Sequence, residues 1–194
     1  MRYDYNFISN FSGSSGTSGF NGTDGLDGTS GSIGSVDPNN PSPGGNGSDG
    51  TDGSNGQDGG RGENAPPVEI RMALRSGSHP LLQMDVVAPG REEVFLVDPH
   101  GGSLTVEADG GSGGSGGKGG RGGRGGSGGT GTPSGSSGRD GTDGRNGWDG
   151  SSGSGGSITV TYDPAVASYL GVIHLSNRGG PAPVFNEEPV APLW

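Results

Sequence analysis

Cysteine is absent from the 194 residues. No disulfide can staple a small core, and no thiol chemistry is available. Long apolar runs are missing too: nothing approaches ~18 residues, so no membrane span is expected. Cations are scarce, with 11 Lys and Arg against 21 Asp and Glu and a net charge of -10. Nucleic acid would want clustered cations and is not an expected partner. Met1-Arg2-Tyr3-Asp4-Tyr5-Asn6-Phe7 lacks the apolar core of a signal peptide. The expectation is export by another route, a mature form or fragment, or assembly inside a cell.

What is abundant is glycine, at 48 residues, more than threefold its average share of about 7%. It recurs every third residue in four segments, 13–34, 44–62, 110–131 and 135–156, of eight, seven, eight and eight triplets. The third carries a second glycine row, including Gly117, Gly120 and Gly123 beside Gly116, Gly119 and Gly122. Random linkers hold neither register nor length in this way. A period of three matches a polyproline II-type helix of ~3.1 Å rise, so about 24 residues would extend ~75 Å. A glycine edge lets a neighbouring backbone approach and pair with N–H and C=O groups that such a helix cannot bond internally. Collagen uses the same geometry but places proline between its glycines. None of the 14 prolines here lies inside a segment. An intramolecular bundle is therefore preferred to a collagen-like trimer or a disordered chain.

Residues 36–43 and 132–134 are short connections rich in Pro, Asn and Ser, and each predicts a hairpin. The remainder alternates as strands do: Val68, Ile70, Met72 and Leu74; residues 81–87; residues 94–97; Leu104, Val106 and Ala108; Ile158, Val160 and Tyr162; residues 170–175; and Tyr3, Tyr5 and Phe7. The expected fold is mostly irregular or all-β: four antiparallel polyglycine II helices, in two hairpins, on a small β-sandwich or barrel base. The domain reading is an N-terminal base strand 1–12, a hairpin 13–64, base 65–109, a second hairpin 110–156, base 157–178 and a Pro-rich extended tail 179–194.

This pattern resembles the N-terminal domain of Obg-type GTPases. The residues that carry the resemblance are the double-glycine run 110–129 and the exit Gly155-Gly156-Ser157-Ile158-Thr159-Val160-Thr161-Tyr162-Asp163-Pro164. The resemblance implies glycine-rich hairpins in polyglycine II conformation rising from a small β-barrel. It does not extend to the GTPase part. A P-loop requires G-x-x-x-x-G-K-[ST], and here Gly117-Lys118 is followed by Gly119, with Ser112 at the first glycine position. The chain is also similar to bacterial collagen-like or glycine-rich surface proteins and to glycine-rich phage adhesin tips.

Other candidates for chemistry dissolve into composition. The elbow pattern G-x-S-x-G occurs around Ser112, Ser115 and Ser127, but it needs a strand before the serine and a helix after it. His79, His100 and His174 have no zinc-motif spacing. Asp24, Asp27, Asp49, Asp52, Asp58, Asp140, Asp143 and Asp149 each precede a glycine. Calcium bridging is one reading; the plainer one is that these side chains face solvent or cap local amides. No cofactor and no catalytic residue is expected.

The functional expectation is a structural subunit of an extracellular glycine-rich fibre or matrix, a homopolymer joined by backbone hydrogen bonds and terminal tails. Tyr3, Tyr5, Phe7, Phe185 and Trp194 are its candidate assembly contacts. Gly116, Gly117, Gly119, Gly120, Gly122 and Gly123 are its packing glycines. Alternatives are a receptor-binding adhesin tip on a cell or virion, with a surface glycan as partner, and an ice-binding protein.

Overall fold

Period-two alternation becomes strand in nearly every place the residues show it. The computed structural model describes residues 6–193. The chain divides into two units: Met1–Gly16, Arg61–Gly113 and Ser151–Trp194 form one, Thr17–Gly60 and Gly114–Gly150 the other.

The first unit holds β1 (Asn6–Asn10), β2 (Val68–Arg75), β3 (Leu81–Ala88), β4 (Arg91–Val97), β5 (Ser103–Glu107), β6 (Ile158–Tyr162), a 3-10 helix (Pro164–Val172), β7 (Ile173–Ser176) and β8 (Val184–Glu187). One sheet has the order β1-β5-β7, all parallel. The other has the order β4-β3-β2-β6-β8, an antiparallel meander extended by two parallel strands. Val68, Ile70 and Met72 of β2, Leu82, Met84 and Val86 of β3, Leu104 and Val106 of β5, and Ile158 and Val160 of β6 are fully buried. Each such side chain contributes roughly 1.5–3 kcal/mol through removal of its apolar surface from water. The Phe7 and Phe95 rings meet at 5.4 Å, joining β1 to β4.

The parallel pairs continue register from glycine residues beside them. Phe11 and Gly13 amides donate to the Glu107 and Asp109 carbonyls just after the β1–β5 pair, and Gly62 and Ala65 donate to Ser151 and Ser154 just before the β2–β6 pair. Residues 170–172, expected to be strand, close the 3-10 helix instead. Asp163 caps it by accepting from the Ala165 amide, and Pro164 opens it with a preset φ.

The second unit contains no strand or helix among its described residues. Its four glycine segments are joined to one another by backbone hydrogen bonds at three-residue intervals. The first donates to the third in parallel: Gly22 to Lys118, Gly25 to Arg121, Gly28 to Arg124. The second donates to the first in antiparallel sense, Thr51 to Leu26 and Ser54 to Thr23, and to the fourth in parallel, Gly50 to Arg139 and Gly53 to Thr142. The third donates to the second, Gly120 to Ser54, and the fourth to the third, Gly144 to Gly120. The second and third segments thus each meet three others; the first and fourth each meet two.

These facts correct the expected fold class. The described elements are eight strands in two sheets and a short 3-10 helix; four polyglycine II helices are not among them. The four segments carry no helix or strand, and their backbone bonds run from one segment to the next. Nor is the arrangement uniformly antiparallel. The chain reverses at both connections, so the first and third segments run alike, and they are neighbours. The base is two sheets and not a barrel. Its β-rich character is as expected.

Candidate functional site

The glycines are required by proximity, since none of those in the four segments has a positive φ; only Gly90 and Gly179 do. A Cβ on Gly116, Gly119 or Gly122 would collide with the carbonyl of Gly147, Gly144 or Gly141 in the fourth segment. A Cβ on Gly117, Gly120 or Gly123 would collide with the carbonyl of Phe20, Thr23 or Leu26 in the first. The second of these rows is buried and the first half-buried. Each of the six glycines thus faces a backbone carbonyl of another segment.

The aspartates and asparagines before glycine have a specific role that sequence reasoning missed. In the triplet Gly119-Gly120-Arg121, the first amide donates to Asn146 Oδ1 at 2.9 Å, the second to the Ser54 carbonyl at 2.9 Å and the third to Asp24 Oδ1 at 2.8 Å. Neighbouring triplets repeat this with Asp143 and Asp27 on Gly122 and Arg124. In the second segment Asp49, Asp52, Asn55 and Asp58 accept from the amides of Arg139, Thr142, Arg145 and Trp148 at 2.7–2.8 Å. The side chains cap amides of the adjacent segment, not local ones. The signal was present in their fixed position before glycine; the partner is fixed only by which segments adjoin. The Thr142 amide, and then its hydroxyl, hold the Asp52 carboxyl below the usual aspartate range.

With an oxygen of each carboxylate so occupied, calcium bridging has no prepared cage. Among the described residues no group of three or more His, Asp or Glu could hold a metal. His79 lies in a bend, His174 in β7, and His100 sits 3.8 Å from Asp98. Ser112, Ser115 and Ser127 lie in the glycine segments, with no helix after them. Lys118, Arg121 and Arg124 form an exposed row, and none belongs to an ion pair among the described residues.

Of the expected assembly contacts, Tyr3, Tyr5 and Trp194 lie outside the described residues. Phe7 packs against the core. Phe185 lies in β8, half exposed, and β8 adds to the edge of its own sheet beside β6. Further on, the Glu188 amide donates to the Tyr162 carbonyl and the Val190 amide to Asp163 Oδ2. The tail through these residues folds back on its own unit.

Described residues of this unit line cavities. One of about 580 Å³ is lined by Asn10, Glu107, Asp109 and Arg178 among others. Asp109 accepts from Ser176 Oγ, which is the main cause of its lowered pKa, and pairs with Arg178 at 2.8 Å. Another, about 330 Å³, is lined by Arg71, Asp85, Thr161 and the tail.

One face of the glycine unit carries no charge. It consists of the residues after the glycines from Gly16 to Gly31 in the first segment and from Gly44 to Gly59 in the second; the next pair along, Ser14–Glu63, carries a carboxylate. Backbone bonds set them opposite one another as Thr17–Gly60, Phe20–Gln57, Thr23–Ser54, Leu26–Thr51, Thr29–Ser48 and Ser32–Gly45. Ser54 Oγ accepts from the Thr23 amide at 2.7 Å, Thr51 Oγ1 from Leu26 at 2.7 Å and Ser48 Oγ from Thr29 at 2.8 Å. Phe20 and Leu26 are 76% and 74% exposed.

No helix among the described residues is long and apolar enough to cross a membrane. No family model, no curated protein and no solved structure matches the chain. The resemblance to Obg-type domains and to glycine-rich surface proteins thus rests on the residue pattern alone.

Proposed function

We propose that this chain is a non-catalytic structural subunit of an extracellular glycine-rich fibre or matrix, associating with copies of itself through backbone hydrogen bonds. The supporting observation is an asymmetry in amide use. In the middle of the third segment all three amides of a triplet are bonded. In the first segment the glycine amide and the one after it are bonded, while those of Asp24, Asp27 and Ser30 have no partner among the described residues. Exposed, unpaired backbone rows are templates for a further chain. Sedimentation velocity and negative-stain microscopy across a concentration series test this. Growing species and filaments are expected; a monomer at every concentration rejects the reading.

A second reading, the adhesin tip, draws on Trp148, which is 81% exposed on the fourth segment. Aromatic residues left in solvent are common anchors for partners. Discrete particles bound to cells, lost on Trp148→Ala, would favour it over the fibre.

A further inference from the structure

We propose that the charge-free face of the first and second segments is a docking surface for an uncharged polysaccharide. This inference is independent of the fibre reading and concerns a different row of residues. The chain carries 21 acidic and 11 basic residues, yet the six opposed pairs from Thr17–Gly60 to Ser32–Gly45 contain none. The residues next to this face in sequence, Asp24 and Asp27 in one segment and Asp49, Asp52 and Asp58 in the other, form acidic rows turned toward other segments.

Charge decides between occupants. A polyanion would meet repulsion from those rows and attraction from nothing on the face itself. A second copy laid face to face would bring its own aspartate rows alongside these, at a like-charge cost. A neutral polymer meets neither obstacle.

The surface chemistry fits a sugar chain. Ser48, Thr51 and Ser54 hydroxyl oxygens already accept an amide, which leaves each O–H proton free to donate outward or to a neighbouring hydroxyl. Thr23 Oγ1 and Thr29 Oγ1 stand 3.1 Å from Ser54 Oγ and Ser48 Oγ, forming hydroxyl pairs on the surface. Leu26 lies between those pairs and Phe20 one step beyond the Thr23–Ser54 pair, both as exposed apolar platforms. A pyranose ring has the matching parts, an apolar C–H face for Phe20 and a rim of hydroxyls for the threonines and serines. The repetition of the pairs along the segments suits a repeating polymer better than a single small ligand.

The test is depletion of the full chain from solution by insoluble cellulose and by chitin particles, at concentrations where sedimentation shows monomer. Retention by at least one of the two is expected. It should persist in about 1 M NaCl, where charges are screened beyond ~3 Å. Phe20→Ala with Leu26→Ala should weaken retention roughly tenfold or more, as loss of exposed anchor residues does. Gln57→Glu, which places a charge on the face without removing packing, should weaken it too. Trp148→Ala, on another row, should leave it unchanged, and all variants should keep the parent melting temperature. Failure of both particles to deplete the parent chain overturns the proposal. So does equal retention of the Phe20/Leu26 variant, or release of the parent chain by salt.

Discussion

A methyl group is the smallest probe of the glycine segments. The two glycine rows of the third segment would by themselves make Gly119→Ala and Gly122→Ala costlier than Gly25→Ala or Gly147→Ala. The structure equalises them: a Cβ at Gly25 meets the Thr51 carbonyl, and at Gly147 the Gln57 carbonyl, as closely as one at Gly119 or Gly122 meets its own neighbour. Each substitution must push two backbones apart and weaken adjacent hydrogen bonds. Losses on the order of 2–4 kcal/mol are expected at all four positions, from several bonds worth ~0.5–1.5 kcal/mol each and from overpacking. Thermal melts check this. Gly171→Ala is the control, since nothing lies within 4 Å of its would-be Cβ; it should be neutral or stabilise by ~0.4–1 kcal/mol. Asp109 gives a second residue-scale prediction. Its lowered pKa, from Ser176, and Arg178 besides, means the folded state binds its proton less readily than the unfolded state. That stability is present above about pH 4, the ordinary aspartate value, and is lost as pH falls through the lower folded value. Asp109→Asn should flatten the fall in melting temperature below about pH 4.

At the scale of elements, β8 changes the role of the tail. Residues 179–193 contain no helix, but Val184–Glu187 forms an edge strand on β6. Deleting residues 184–194 should therefore lower the melting temperature of the β unit by exposing the β6 edge. It should leave concentration-dependent association in place; loss of association without loss of stability would restore the tail as connector. Why was this strand hidden? Val184-Phe185-Asn186-Glu187 has no clean alternation, and prolines bracket it. By contrast β2, with Val68, Ile70 and Met72 inward and Glu69 and Arg71 outward, was legible because one face is buried and the other is wet. The parallel pairing of β1 with β5 and β2 with β6 was not legible. It joins strands far apart in the chain, and alternation within a strand does not name its partner. The aspartate caps were hidden for the same reason: Asp24 is visible before Gly25, whereas the Arg121 amide that it accepts from is 97 residues away.

At the scale of the molecule, charge and backbone edges act against each other. The exposed amides of the first segment favour association, while a net charge of -10 opposes it. Repulsion is weakest near the isoelectric point, about 4.5. That pH lies above the range in which Asp109 and Asp52, both held below the ordinary aspartate value, take up protons in the folded chain. The unit should therefore still be folded when its charge has nearly vanished. Filament formation should rise as pH falls from 7 toward 4.5, then decline at lower pH, where Asp52 takes up a proton and weakens its hold on the Thr142 amide. Added salt at pH 7 should promote assembly in the same direction, because it screens the repulsion without touching the backbone bonds. Light scattering across pH and ionic strength reads both arms. Assembly that weakens with salt, or that is indifferent to pH between 7 and 4.5, would mean that opposite charges on facing copies hold the fibre, with Lys118, Arg121 and Arg124 as the cationic side, and that the unpaired amides have no part in it.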